Sequence, residues 1–152
     1  MSEERGIENL IGRYCDAVLR ADAAAWASCW TSDARWVIPG KGEVVGRDAI
    51  AATFSEIRGL YDLCVQEVLN STLEIDGDRA HARWQVRETQ HLVDGSGSEL
   101  LGVYHDVLRR ESDGWRFERR EFEIVYRGER AMPGRVYRRR ERDEHGSGTV
   151  RP

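Results

Sequence analysis

One acidic residue is unusual because it extends an otherwise apolar strand face. Along the segment that begins at Arg79, alternate positions are apolar until Glu88; they are Ala80, Ala82, Trp84 and Val86. A carboxylate in an apolar setting is costly unless it is paired or has a function. Glu88 is therefore a candidate catalytic proton acceptor. The alternative is that the strand end reaches solvent or pairs with an arginine.

Three further side chains could take part in proton chemistry. Tyr14 falls on the apolar stripe of the first predicted helix, where its hydroxyl could serve a ligand or the backbone. His105 and Asp106 are adjacent in a predicted strand, so they point to opposite faces. Strand parity predicts that Asp106 faces inward, where burial favours its protonated form. If Asp106 instead points outward to an arginine such as Arg119, His105 becomes the leading acid–base candidate.

Large apolar side chains on predicted inward faces would suit an aromatic or polycyclic ligand as well as a packed core. The candidate ligand-binding residues are Trp26, Trp36, Trp84, Tyr104, Ile38 and Phe54. The predicted partner is accordingly a small apolar or aromatic molecule.

Metal and cofactor chemistry are not indicated. His81, His91 and His105 share no metal-ligand spacing on one element, and the three cysteines show no CxxC pair. The only lysine, Lys41, lies in a glycine-flanked loop, which limits imine chemistry to that position. We therefore expect neither a metal nor a cofactor.

Composition narrows the class of protein further. The chain has 152 residues, of which 40% are hydrophobic and 33% are charged, with a net charge of −4. This balance is typical of one globular domain and argues against a nucleic-acid partner, which needs a dense basic face. No apolar run is long enough to span a membrane, and the N-terminus does not resemble a signal peptide. We expect a cytoplasmic protein without a membrane partner.

Helices are the first elements along the chain that are expected to position these side chains. Apolar residues recur at helical intervals over residues 7–18, and Asp22 is typical of the N-cap of a short second helix carrying Trp26 and Trp30. Residues 34–38 alternate as a strand, and a third helix is expected over residues 47–58.

Long strands follow the helices. They are predicted over residues 65–75, 79–92, 99–110 and 115–127, separated by Asp- and Gly-rich turns. Helices followed by an antiparallel meander indicate an α+β domain over residues 1–137, with a curled sheet that leaves a concave interior. Residues 138–152 alternate charges without apolar periodicity, and we expect a flexible tail there.

Several short segments, in order, carry a resemblance to a known superfamily. They are Tyr14…Asp22…Trp26, Ser32-Asp33-Ala34, Gly46-Arg47-Asp48-Ala49-Ile50, Asn70, Asp76-Gly77-Asp78, Gly102-Val103-Tyr104-His105-Asp106 and Asp113-Gly114-Trp115-Arg116. Together they resemble the SnoaL-like (NTF2-like) superfamily, which includes ketosteroid isomerase, scytalone dehydratase, polyketide cyclases and limonene epoxide hydrolase. The resemblance covers residues 5–137. It implies a cone-shaped α+β barrel with three N-terminal helices on a strongly curved, mainly antiparallel sheet around an apolar pocket, and leaves the reaction open.

The ketosteroid isomerase template assigns roles to two of the candidates. Tyr14 matches the tyrosine that donates to a developing enolate oxygen, and Asp106 matches the protonated acid that completes this oxyanion hole. The general base of that enzyme is an aspartate before a proline, and here Ile38 precedes Pro39. Because an aliphatic side chain cannot accept a proton, the usual steroid isomerisation is not implied.

The scytalone dehydratase template matches less well. Asp22 corresponds to its catalytic aspartate, but the neighbouring tyrosine is replaced by Ala21. Gln66 stands where one pocket histidine is expected, and His91 could lie near the position of the other. Most of that catalytic set is therefore missing.

Three functions remain open. The first is a cofactor-independent isomerase, dehydratase or cyclase for a small, apolar or polycyclic carbonyl compound, with Glu88 or a histidine moving the proton. The second is a ligand-binding protein without turnover. The third is a dimeric interaction module. A homodimer through the outer sheet face is expected in any case, because residues 83–91 and 115–126 are rich in arginine and aromatic side chains.

Overall fold

A computed structural model describes residues 2–137 of the chain. The helices are α1 (Glu3–Arg20), α2 (Ala23–Ala27) and α3 (Arg47–Arg58). The strands are β1 (Trp30–Ile38), β2 (Gly42–Val45), β3 (Tyr61–Asp76), β4 (Arg79–Leu92), β5 (Gly97–Glu111) and β6 (Gly114–Glu129). The predicted charged tail, residues 138–152, lies outside the described residues.

The strands form one six-stranded sheet in the order β2-β1-β6-β5-β4-β3. All neighbours are antiparallel except β1 and β6, which run parallel. The helices pack on the concave side of this curved sheet. The predicted α+β class, with three N-terminal helices on a curved and mainly antiparallel sheet, is confirmed.

The first helix is fixed at both ends. The hydroxyl of Ser2 accepts a hydrogen bond from the backbone N–H of Arg5 at 3.2 Å, and Ala21 ends the helix in the left-handed region at φ 54°. Arg58 of α3 then donates to the carbonyl oxygens of Val18 and Leu19 at 2.8 and 3.3 Å. These bonds satisfy carbonyls that a helix end otherwise leaves unpaired.

The predicted second helix is shorter than expected, because α2 ends at Ala27 and Trp30 begins β1. The backbone N–H of Cys29 donates to the Trp26 carbonyl at 3.1 Å, which forms a tight turn at the end of the helix. The two indoles still contact each other, with ring centroids 5.1 Å apart. The contact between Trp26 and Trp30 is thus between elements rather than along one helix.

Strand β2 was not anticipated. It has four residues, too few to show alternation, and it pairs only with β1 at the sheet edge. The parallel pairing of β1 with β6 was also not anticipated, because it joins segments more than eighty residues apart in sequence.

The core lies between the helices and the concave sheet face. It centres on an aromatic cluster in which the rings of Trp26 and Phe54 stack at 4.1 Å with an interplanar angle of 11°. Stacked and tilted aromatic contacts stabilise the fold beyond the contribution from burying the large apolar area of these rings. The cluster also includes Tyr14, Trp30, Trp36 and Phe117.

Two further expectations concern membrane association and a homodimer. None of the helices of residues 2–137 is long and apolar enough to cross a membrane. The homodimer through the outer sheet face stays a prediction.

Candidate active site

A cavity of about 140 Å³, here called the inner cavity, lies between α1, α3 and the concave sheet face. Its apolar wall consists of Val18, Trp36, Ile38, Pro39, Phe54, Ile57, Leu100, Phe122 and Ile124, and its polar wall includes Tyr14, Tyr61, Gln66, Glu88, Gln90, Tyr104 and Arg127. Tyr61, Gln90 and Arg127 also line a second, open cavity of about 700 Å³, here called the outer cavity, bounded by residues 95–98 and 129–133. The shared residues mark the mouth of the inner cavity.

Four lining residues form a row across the sheet. Gln66 of β3 pairs in register with Glu88 of β4, Glu88 pairs with Leu100 of β5, and Leu100 pairs with Arg127 of β6. Residues directly opposite each other on neighbouring strands share a face of the sheet, with adjacent strands about 4.8 Å apart. The row therefore presents an amide, a carboxylate, an apolar side chain and a guanidinium to the same cavity.

Glu88 is held by two amide groups. Its Oε2 accepts a hydrogen bond from Gln66 Nε2 at 2.8 Å, and its Oε1 accepts one from Gln90 Nε2. Gln90 is itself fixed, because its Oε1 accepts from Ser98 Oγ at 2.6 Å. Glu88 thus does not extend freely into solvent, and none of the arginines that the structure describes forms an ion pair with it. It is the only carboxylate among the described residues that line the inner cavity.

Two tyrosines that line the inner cavity are held neutral by burial. Gln66 Nε2 also donates to Tyr104 Oη at 3.0 Å. Burial raises the pKa of Tyr14 to about 12, against the opposing charge of Arg120. Burial likewise raises the pKa of Tyr104 well above its ordinary value, and the nearby Tyr14 adds to this. Both phenols remain protonated at neutral pH and can donate hydrogen bonds.

Asp106 points inward, as strand parity predicted, but it faces an arginine instead of the cavity. Its two carboxylate oxygens accept hydrogen bonds from Nε and NH2 of Arg120, at 2.8 and 2.9 Å. Both side chains are almost completely buried, at 0% and 1% exposure. The Arg120 guanidinium carbon in turn lies 4.4 Å from the ring centre of Tyr14 and 3.7 Å from that of Tyr104. Arg120 therefore lies between Asp106 and the phenol rings.

This arrangement contradicts the expected oxyanion hole of Tyr14 and Asp106. Burial raises the pKa of Asp106, and the charge of Arg120 opposes that rise. Burial alone would lower the pKa of Arg120, but the Asp106 carboxylate and the phenols raise it. Because both oxygens of Asp106 accept from the guanidinium, we assign the pair as ionised, with no proton for a ligand. Tyr14 does line the cavity, and its catalytic role stays a prediction.

His105 is on the opposite side of the strand from Asp106. Its Nε2 lies 2.7 Å from Glu123 Oε2, and its side chain is 42% exposed. It lines a groove on the outer sheet face and does not line the inner cavity. His105 is therefore not placed to act on a ligand in that cavity.

The amino-acid sequence matches the family profile of the SnoaL-like domain over residues 1–121. The chain belongs to the SnoaL-like domain family. Among curated proteins, the gamma-hexachlorocyclohexane dehydrochlorinase of Sphingobium indicum is 26% identical over 123 residues, which cover 79% of each chain.

Solved structures show the same fold at lower identity. A hexachlorocyclohexane dehydrochlorinase of Novosphingobium barchaimii superposes with a TM-score of 0.77 at 20% identity, covering 88% of this chain and 94% of the other. A scytalone dehydratase candidate from Novosphingobium aromaticivorans superposes with a TM-score of 0.79 at 20% identity, covering 89% and 95%. The predicted SnoaL-like membership is confirmed.

Three residues of this SnoaL-like domain were compared above with the scytalone dehydratase template, and the structure shows what each of them contacts. Asp22 caps α2, since its Oδ1 accepts from the backbone N–H of Ala25 at 2.9 Å, and its Oδ2 accepts from Arg20 at 2.6 Å. His91 lies with Nδ1 3.7 Å from Asp62 and does not line the inner cavity. Gln66 does line it, at the place where that template has a histidine.

The predicted ligand-binding residues divide into two groups. Trp36, Ile38, Phe54 and Tyr104 line the inner cavity, whereas Trp26 and Trp84 do not. Trp26 is fully buried and Trp84 is 5% exposed, and both belong to the packed core. Ligand contact by these two residues stays a prediction, because a sequence pattern shows that a side chain is buried but not what covers it.

The missing side chain at Gly102 leaves no room for a ligand. A β-carbon at this position would lie 2.3 Å from the ring of Phe122, which occupies the space. Phe122 in turn lines the inner cavity. The glycine therefore serves the cavity indirectly, by letting the aromatic ring of Phe122 approach β5 closely.

Sequence reasoning missed Gln90 and Arg127, and it considered Gln66 only as a missing histidine. Gln90 follows Glu88 by two positions, so alternation along β4 alone places it on the same face. Gln66 and Arg127 become visible only when strand register is known, because the sheet brings them to the cavity from other strands. Within residues 2–137, no group of three or more His, Cys, Asp or Glu side chains is arranged to hold a metal ion.

Proposed function

We propose that this SnoaL-like domain is a cofactor-independent enzyme that removes a carbon-bound proton from an apolar substrate of single-ring size, with Glu88 as the base. The observation that carries the proposal is the isolation of Glu88. It is the one carboxylate in the described wall of the inner cavity, and two glutamine amides fix its position. A fixed carboxylate beside an apolar wall is a suitable general base.

The other ionisable groups of that wall are poorly suited to accept a proton. Burial raises the pKa of the Cys64 thiol well above its ordinary value, and the Glu88 carboxylate adds to this, so the sulfur stays protonated. Tyr14 and Tyr104 are neutral for the same reason. Arg58 is occupied by three backbone carbonyls, those of Val18, Leu19 and Tyr61. Glu88 remains as the acceptor.

The reaction begins when the substrate C–H bond breaks and its proton moves to the Glu88 carboxylate. The electron pair either moves toward a carbonyl oxygen, forming an enolate, or expels a leaving group from the adjacent carbon. The Tyr14 and Tyr104 hydroxyls are donors that could stabilise negative charge on that oxygen or leaving group. Return of the proton from Glu88 to another carbon completes an isomerisation. In an elimination, a halide departs as the anion and Glu88 releases its proton to solvent, whereas a hydroxyl group takes up that proton and departs as water.

Cavity size supports a substrate smaller than the polycyclic compound first expected. The inner cavity holds about 140 Å³, and a buried apolar cavity of about 150 Å³ in another protein binds benzene. One six-membered ring would therefore fill it, and further rings would have to lie in the outer cavity. The relative from Sphingobium indicum is by name a dehydrochlorinase of hexachlorocyclohexane, which also has one ring.

The proposal is tested with cyclic ketones and with gamma-hexachlorocyclohexane as probes. Exchange of ring C–H protons with solvent deuterium reports proton removal from the ketones, and chloride release reports elimination. We expect Glu88→Gln to slow whichever reaction occurs by about 10²- to 10⁴-fold, the usual contribution of a general base. The matched control is Glu67→Gln, an exposed carboxylate on β3 outside the inner cavity.

Two results would contradict the proposal. Glu88→Gln with the rate of the unmodified protein would exclude Glu88 as the base. Ring compounds that raise the melting temperature but show neither exchange nor elimination would favour a ligand-binding protein without turnover.

A further inference from the structure

We infer that the molecule bound in the inner cavity carries a carboxylate, which Arg127 binds at the cavity mouth while its ring lies over Leu100. This inference rests on the proposed use of the inner cavity and changes the substrate class from a wholly apolar ring to a ring that carries one anionic group. It comes from the position, surroundings and pairing of Arg127.

An irregularity in β6 turns Arg127 toward the cavity. Ile124 pairs with Gly102, but the next pairs are Tyr126 with Leu101 and Arg127 with Leu100, so Val125 is an extra residue in β6. Without this bulge, alternation after Phe122 and Ile124 would place Tyr126 on the concave face. With it, Tyr126 and Val125 are exposed and Arg127 lines the cavity. Bulges commonly redirect a side chain in this way beside functional sites.

The positive charge of Arg127 has no acidic partner in the part of the chain that the structure describes. Other arginines of the sheet, such as Arg79, Arg109 and Arg119, each contact a carboxylate. Glu129, the nearest acid along the strand on the same face, makes no ion pair with Arg127. An arginine at a cavity mouth with five N–H donors and no ion-pair partner among residues 2–137 suits a planar, bidentate anion such as a carboxylate.

The spacing of the row fits such a ligand. Glu88 and Arg127 are separated by two strand intervals, or about 10 Å between their backbones, with Leu100 between them. Both side chains extend toward the cavity, so a ring over Leu100 can present a C–H bond to Glu88 and a carboxylate to Arg127. The exposed position of Arg127 lets the carboxylate keep part of its hydration, which lowers the cost of binding it.

The test compares two probes of nearly equal shape, cyclohexanecarboxylate and cyclohexanecarboxamide, by calorimetry at low ionic strength. We expect the carboxylate to bind the unmodified protein about fivefold more tightly, and Arg127→Gln to abolish that preference. Arg127→Lys should keep part of it. The control is Arg83→Gln, which makes the same change in net charge on the exposed outer face and should leave the preference intact.

Equal affinity of the two probes for the unmodified protein would overturn the inference, and so would a preference that survives Arg127→Gln. Because these are equilibrium measurements without turnover, they do not depend on whether Glu88 acts as a base. A carboxylate preference without any C–H exchange would support the anion site while contradicting the proposed reaction.

Discussion

Glu88 and Arg127 lie on either side of Leu100 in one row across three neighbouring strands, and all three side chains line the same cavity. The carboxylate is fixed by Gln66 and Gln90, whereas the guanidinium has no acidic partner among the described residues. One end of the row is thus prepared to accept a proton, and the other is prepared to hold an anion.

The buried tyrosines should make stability fall at high pH. The pKa of Tyr14 is about 12 in the folded protein, against 10.0 as its ordinary value. The folded state therefore retains a proton that the unfolded state loses, and stability decreases as pH rises from 10 toward 12. Ultraviolet absorbance of tyrosinate, followed with pH, should show Tyr14 ionising only near pH 12 or on unfolding. Tyr14→Phe identifies its signal, and ionisation near pH 10 in the folded protein would contradict this assignment.

The Asp106–Arg120 pair should be structural. Asp106→Asn leaves the guanidinium buried without its counter-charge, and we expect it to lower the free energy of unfolding by about 3 kcal/mol or more in urea denaturation. Asp33→Asn is the control, because its pair with Arg109 is exposed and should contribute less than about 1 kcal/mol. Similar small losses for both variants would show that the buried pair is not ionised as described.

Gly102 and Gly12 should respond to alanine with opposite signs. At Gly102 the new β-carbon would meet the Phe122 ring at 2.3 Å, so we expect a loss of about 1–3 kcal/mol from overpacking. At Gly12, on the exposed side of α1, a β-carbon meets nothing within 4 Å, and removing a helix glycine should add about 0.5–1 kcal/mol. Thermal unfolding measures both. Tolerance of Gly102→Ala would mean that Phe122 moves easily and that the cavity wall is adaptable.

Much of the fold follows from local patterns. The apolar stripe of α1, the Asp22 cap and the Asp76-Gly77-Asp78 turn each act within a few residues, and the structure contains all of them. Strand parity likewise placed Asp106 on the inward face. These features depend on backbone geometry that nearby residues determine alone.

The site could be predicted only in part, because it depends on register. Parity along β5 could not show that Arg120 stands opposite Asp106, and parity along β6 fails at the Val125 bulge. Glu88 was recognised because a carboxylate interrupts an apolar face within one strand. Arg127 was not, since its direction is set by pairing with a strand more than twenty residues away.

The most direct measurement is a crystal structure of the Glu88→Gln variant with cyclohexanecarboxylate bound. We predict that the ring occupies the inner cavity over Leu100, with one ring carbon next to residue 88 and the carboxylate accepting hydrogen bonds from Arg127. A ligand bound only in the outer cavity, or one whose carboxylate lies away from Arg127, would contradict the account.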